Sequence, residues 1–522
     1  MAQLIERVVE EKGDGLALAD EFGETTWAEL NEQANRCISG LRAAGVGTGD
    51  TIALMSGNRR ELFVATAAYG HGGMICVPVN WHWTAEELGY VIDDSDAKAL
   101  IVDGRFIDTA VEAARDHAAE MSRCPLRIVI ADEAPEGFVT WEELLASGDP
   151  GEPDDQSMGG PMFYTSGTTG FPKGVRSTLT QGGGDLAMLE LITAGFTGML
   201  GLPAGGVTLL DGPAYHSAQW VFSVFPLICG GTVVMRHKFD PAATLELIDR
   251  YRVTNVHFVP TQFIRLLKLP NEVRDTFDGS SLETVMHGAA PCSPQVKRQM
   301  LEWWGPKVSE YYGGTEGGFI SIISGEEWLQ KPGSLGKPLG TVELILVDDD
   351  GNRCGPNQPG QIYFKSLLGA DFEYHKAPEK TEAAHLEPGV GTLGDIGYLD
   401  DDGYLFLSDR KIDMIISGGV NIYPAEIEGV LVSHPAVNDA AVFGIPNDEM
   451  GEEVKAAVEL AEGFEPSDAL AAEIVAHVRE HLAGYKAPRS IDFETALPRY
   501  PTGKLYKRLL RDPYWEGVGR AI

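Results

Sequence analysis

At 522 residues with a formal net charge of −36, the chain is too long for one compact core and too acidic for nonspecific binding to nucleic acid or anionic membrane. Its 43% hydrophobic and 23% charged residues, with 62 glycines and 30 prolines spread along it, exclude a disordered or fibrous protein and describe an α/β chain of two or three domains. Any site for a polyanion must concentrate lysine, arginine and backbone N–H groups against a repulsive field, so the few basic residues inside motifs are informative.

The N-terminal MAQLIERVVEEKGDG carries acids where a secretory leader needs a basic start and an apolar run, so no export signal is expected. Next, TWAELNEQANRCISGLRAAG has helical periodicity, and the apolar runs TIALM, ICVPV and ALIVD each end in turn-forming residues. That alternation predicts βαβ units and parallel sheet. Residues 191–210 and 212–235 hold no Asp, Glu, Lys or Arg, but Gly195, Gly198, Gly201, Pro203, Pro213 and Pro226 interrupt them. Buried strands and helices around an apolar cavity are expected there, not a spanning helix. A second βα series comes next, with GTVVM, TNVHFVP and LETVMHG as strands and PAATLELIDRYR and PQVKRQMLEWWG as helices. Near residue 340, VELILVDDDGNRCGPNQPGQIYFKS reads as a hairpin region. Beyond about residue 410, Pro424 suits the first turn of a helix, and NDAAVFGIP reads as the next strand. Cys37, Cys76, Cys124, Cys229, Cys292 and Cys354 form no CxxC pair and no zinc spacing, which fits a reducing cytoplasm.

The densest donor cluster is Tyr164-Thr165-Ser166-Gly167-Thr168-Thr169-Gly170-Phe171-Pro172-Lys173-Gly174. Glycines let backbone amides approach an anion, hydroxyls add donors, and Lys173 supplies a point charge, a set that suits a triphosphate. It is not a Walker A loop, since Pro172 and Gly174 stand where that motif needs Gly and Ser or Thr.

This run resembles the phosphate-binding signature of the adenylate-forming superfamily, which contains acyl-CoA synthetases, firefly luciferase and peptide-synthetase adenylation domains. Further motifs occur in family order. Gly288-Ala289-Ala290-Pro291 resembles the adenine-binding turn. Tyr311-Tyr312-Gly313-Gly314-Thr315-Glu316 is similar to the segment whose tyrosine stacks on adenine and whose glutamate helps hold magnesium, roles implied for Tyr312 and Glu316. Gly394-Asp395 resembles the aspartate that grips both ribose hydroxyls, and Asp409-Arg410 the arginine that assists it. Pro501-Thr502-Gly503-Lys504 resembles the motif whose lysine bridges the substrate carboxylate and the α-phosphate. Taken singly, Asp395 and Arg410 also read as a surface ion pair and Lys504 as a solvated lysine. Together, from residue 164 to residue 504, the motifs imply an acyl-CoA synthetase.

The resemblance implies an α/β fold: residues 1–410 as a large domain of parallel-sheet βα layers plus a β-rich subdomain, and residues 411–522 as a small mobile α+β domain. It implies ATP, Mg2+ and coenzyme A as ligands, no nucleic-acid partner, and a homodimer as the common assembly among relatives. In the implied reaction a carboxylate attacks the α-phosphorus of ATP, and coenzyme A thiol then takes the acyl group from the adenylate. Lys173, Lys504, magnesium on Glu316 and the hydroxyls of Thr165, Ser166, Thr168 and Thr315 would neutralise charge as pyrophosphate leaves. Gly167, Thr169, Gly170 and Gly313 complete the implied nucleotide contacts. Rotation of the small domain would bring Gly418 and Gly419 to the coenzyme A channel. The hinge position is polar in the family, whereas here it is Ile412.

His216 resembles the residue beside the substrate carboxylate, and Trp220 reads equally as an aromatic gate or as core packing. HGAAPCSPQVKRQMLEWWGPKVSEYYGGTEGG resembles bacterial ligases for fatty acids and bulky alicyclic or steroid side chains. The expected acid is therefore apolar and medium- to long-chain or alicyclic. An aryl acid is the alternative within the enzyme class, a non-catalytic adenylate-binding protein the alternative outside it. A free-standing carrier as acyl acceptor also stays open.

Overall fold

Short, uniformly apolar runs lack the polar face of a surface strand, so they fold where both faces of a sheet are covered. The computed structural model describes residues 2–165, 172–178, 183–290, 292–348, 350–410, 413–417, 420–447, 450–482, 484–499 and 505–516. One sheet has six parallel strands in the order 139–140, 126–130, 97–103, 51–55, 75–78 and 160–161. TIALM, ICVPV and ALIVD form its centre, as the alternation predicts. The second sheet runs 337–338, 318–323, 308–314, 284–287, 255–258, 207–210, 232–235, 16–20 and 23–26, parallel within and antiparallel at both edges.

Helix Trp27–Ala43 shows how the covering layer is specified. Thr26 and Glu29 close a capping box, and Trp27, Leu30, Ala34, Ile38 and Leu41 form the stripe that enters the core. The uncharged stretches become helix Leu186–Met199, strand Val207–Leu210, helix Ser217–Ile228 and strand Thr232–Met235. No helix among the described residues is long and apolar enough to cross a membrane.

The hairpin region pairs Val342–Val347 antiparallel with Gly360–Ser366 and continues through Val390–Leu399 to Leu405–Arg410. A small antiparallel sheet of 163–165, 173–177 and 372–374 lies at the phosphate motif. From residue 415 on, the strands belong to a different sheet, 420–422, 415–417, 451–460 and 437–447, with 490–494 parallel to 451–460. Pro424 opens the helix Pro424–Leu431, and Ile415, Ile427, Leu431, Val442, Val454 and Ile474 form a core of their own. The molecule is thus a large parallel-sheet α/β domain followed by a smaller α+β one.

Candidate active site

The two ends of the expected phosphate motif pair with each other. Thr165 faces Lys173 across antiparallel strands, so the ladder sets the separation of these two residues. Ser166, Gly167, Thr168, Thr169 and Gly170 lie outside the described residues. One strand over, Tyr374 pairs with Val175, and the Lys173 ammonium stands 5.8 Å from the centre of the Tyr374 ring. The Tyr374 hydroxyl donates to Glu316 Oε1 at 3.1 Å. Glu316 rides the tight turn between strands Val308–Gly314 and Gly318–Ile323, where a Cβ on Gly313 would lie 1.9 Å from the Gly318 carbonyl oxygen. Only glycine fits that position.

Lys380, from the short helix Pro378–Ala383, sits beside Lys173. Burial and the Lys380 ammonium bring the Lys173 pKa down to about 8, while Glu316 works in the opposite direction. Two ammonium groups face one carboxylate here, a local cationic excess within a strongly acidic chain. The place suits a polyphosphate, and Glu316 offers the hard oxygen donor that magnesium takes.

The residues expected at the nucleoside are brought together by adjacent parallel strands. Strand Thr284–His287 runs into Gly288-Ala289-Ala290, and His287 is in register with Glu310 of the strand that carries Tyr312. A Cβ on Gly288 would come within 2.6 Å of the Tyr311 ring, and Ala289 adopts φ +64°, a conformation that costs a non-glycine residue roughly 1 kcal/mol or more. The Tyr312 hydroxyl donates to Asp395 Oδ2 at 2.8 Å, with both residues buried. Asp395 is therefore not part of a surface ion pair. Its cross-strand partner is Arg410, whose side chain lies outside the described atoms.

Beneath this turn lies a buried charged group. Lys297 of helix Pro294–Trp304 is 3.6 Å from Glu310 and hydrogen-bonds His287 Nε2. Burial lowers the Lys297 amine, raises the Glu310 acid to about 7, and, together with Lys297, keeps His287 neutral.

On the acyl side, Asn58 pins the segment that presents His216. Its amide donates to the carbonyls of Gly212 and Arg236, each at 2.8 Å, and its oxygen accepts from the Ala214 N–H at 3.0 Å. The Oγ atoms of Ser217 and Thr315 are 3.0 Å apart, which joins the His216 segment to the Thr315–Glu316 turn. His216 Nε2 is enclosed without a partner among the described residues, and burial with neighbouring His82 drives its pKa to about 3. A neutral imidazole thus waits next to the turn, with hydrogen-bonding capacity still to be met.

Trp220 donates to the Tyr69 hydroxyl at 2.9 Å and packs edge-on against Phe163 and Phe225. The cavity behind it holds about 10 Å³, room for about one water, between Trp220, Tyr215, Tyr69, Leu54, Leu62 and Pro78. Trp220 is therefore a packed core residue in this conformation. A long acyl chain would need it to swing away from Tyr69.

The structure brings Thr165, Lys173, Thr315 and Glu316 together with Ser217 and His216, and Tyr312 together with Asp395 and the Gly288–Ala290 turn. Lys504, Gly418, Gly419 and Ile412 lie outside the described residues. Tyr374, Lys380, Asn58 and the Lys297–Glu310 pair escaped the sequence reading. Of these only Lys297 left a signal, since it falls on the inward stripe with Met300, Leu301 and Trp304.

Residues 5–368 match the family model of AMP-binding enzymes, and residues 426–504 match that of the AMP-binding enzyme C-terminal domain. The chain is 33% identical to a feruloyl-CoA synthase of Amycolatopsis sp over 490 residues, 93% of each protein. It is 32% identical to the long-chain-fatty-acid–CoA ligase FadD13 of Mycobacterium tuberculosis over 501 residues, 94% of this chain and 93% of that one. Among solved structures, an anthranilate CoA ligase, AuaEII, in complex with anthranoyl-AMP superposes with a TM-score of 0.87 at 26% identity, covering 99% of this chain and 97% of that one.

Proposed function

Since the chain belongs to the AMP-binding enzyme family, as an ATP-dependent, AMP-forming acid–CoA ligase that uses Mg2+, we propose that its acid carries an apolar medium- to long-chain, alicyclic or steroid side-chain body. The observation that carries this reading is the uncharged wall beside His216: Trp220, Tyr215, Tyr69, Leu54, Leu62 and Pro78 offer no carboxylate for an amine and no cation for a second acid group. A second reading, an aryl acid, draws on the aromatic share of that wall and on the likeness to a feruloyl-CoA synthase.

A carboxylate repels nucleophiles, and oxide is a poor leaving group, so activation comes first. The acid's oxygen attacks the α-phosphorus of ATP and pyrophosphate departs. The thiol of coenzyme A then attacks the carbonyl of the acyl adenylate, and AMP leaves. In this proposal Lys173 and Lys380 balance phosphate charge, and Glu316 would hold the magnesium that comes with ATP and neutralises the leaving pyrophosphate. Tyr312 and Asp395, with Arg410, hold the nucleoside, while neutral His216 donates to the acid without adding a charge of its own. Lys504 bridges acid and α-phosphate, and Gly418 and Gly419 line the coenzyme A path. We further place the domain boundary between residues 410 and 411, a homodimer as the assembly and the cytoplasm as the location.

Pyrophosphate and AMP release from ATP is to be measured with acetate, octanoate, palmitate, a bile acid, benzoate and ferulate, each with and without coenzyme A. An octanoate, palmitate or bile-acid thioester as the fastest product, abolished by Lys504→Ala, is the expected result. Preference for benzoate or ferulate installs the aryl reading, and preference for acetate removes both.

A further inference from the structure

In the smaller domain, helix Asp468–His481 ends in a group of metal-ligand side chains. His477 and His481 stand one turn apart, with Glu480 beside them. The ligand atoms of these three residues lie within 4.8 Å of one another. Metal–nitrogen bonds of about 2.1 Å put neighbouring ligands about 3.4 Å apart, so modest rotation of the exposed Glu480 and His481 side chains closes the set.

Both rings are held by hydrogen bonds. Ser433 Oγ lies 2.6 Å from the Val430 carbonyl oxygen and 2.8 Å from His477 Nε2. His481 Nδ1 lies 2.8 Å from the His477 carbonyl oxygen and donates to it. The ring nitrogens outside these two contacts are Nδ1 of His477 and Nε2 of His481. A ligating histidine whose other N–H is held by a hydroxyl or carbonyl has its tautomer and orientation set for a cation. His434, in the turn after helix Pro424–Leu431, sets its ring edge-on to His477 with centroids 5.2 Å apart.

We propose that His477, Glu480 and His481 form a binding site for a divalent transition-metal cation of the zinc, nickel or copper type. Two imidazole nitrogens and one carboxylate oxygen select borderline cations over magnesium or calcium, which take oxygen ligands. The site is distinct from the one formed around Glu316 and shares no residue with it. Ser433 and His434 touch His477 from the neighbouring segment.

The test uses the full-length protein without ATP, titrated with Zn2+ alone in competition with a chromogenic chelator. Expected is one zinc ion per chain that is lost, or weakened at least tenfold, in the His477→Ala/His481→Ala variant. Zinc raises the melting temperature of the parent protein by more than that of the variant. The variant keeps the parent's pyrophosphate release in zinc-free buffer, which separates this site from the activation chemistry. Equal zinc affinity and stoichiometry in the variant, or no saturable binding by the parent protein, overturns the proposal.

Discussion

Lys173, proposed to hold phosphate, would do so best when charged, yet burial and the Lys380 ammonium bring its pKa down to about 8. Only the protonated form attracts a polyanion, so a depressed pKa means that affinity is complete below that value and lost as pH rises through it. The Michaelis constant for ATP should rise about tenfold from about pH 7 to about pH 9, equivalent to about 1.4 kcal/mol. Lys380→Met removes the like charge and should move this alkaline limb to higher pH, whereas Lys173→Met should abolish it. A limb that persists in Lys173→Met assigns the titration to another group. At this scale the sequence already named Lys173, because a lysine closing a Gly/Thr-rich run has a chemical rationale. Lys380 carried no such mark. It lies more than two hundred residues further on, and only the strand pairing Val175↔Tyr374 brings its helix to the site.

Among the elements, strands Thr284–His287 and Val308–Gly314 stand on a buried ion pair. Desolvating Lys297 and Glu310 offsets much of what their attraction contributes, so the pair adds little net stability, while removing one partner leaves the other charge stranded. Lys297→Met should therefore destabilise the large domain by about 3–5 kcal/mol, read as a lowered urea midpoint. Adding Glu310→Leu to it should restore most of that loss. If the double variant is no more stable than the single one, the packing of Lys297 and not its charge is what matters. The helix itself was legible from the 3.6-residue spacing of PQVKRQMLEWWG. The inward lysine was on view in the same stripe, but what it meets there depends on Glu310 and His287, which two other strands bring beneath it.

For the molecule as a whole, the core around Ile415, Ile427, Val442 and Ile474 is separate from the clusters that fill the large domain. A chain ending at residue 410 should fold with a cooperative thermal transition and gain stability from ATP. It should release no pyrophosphate with any acid, since the proposed function assigns the bridge between acid and α-phosphate to Lys504. Loss of the cooperative transition would mean that the large domain depends on the smaller one for its stability. The sequence alone determined the order of strands and helices and the motif residues in their order, because periodicity and turn chemistry are local properties. Only the tertiary structure decided that Trp220 is held by Tyr69, that Asp395 is buried against Tyr312, that Lys380 doubles the charge at Lys173, and that Ser433 and the His477 carbonyl hold the rings of His477 and His481. Each of these depends on burial or on a partner distant in the chain or held by a neighbouring segment, and such properties come into existence only when the sheets and helices close around them.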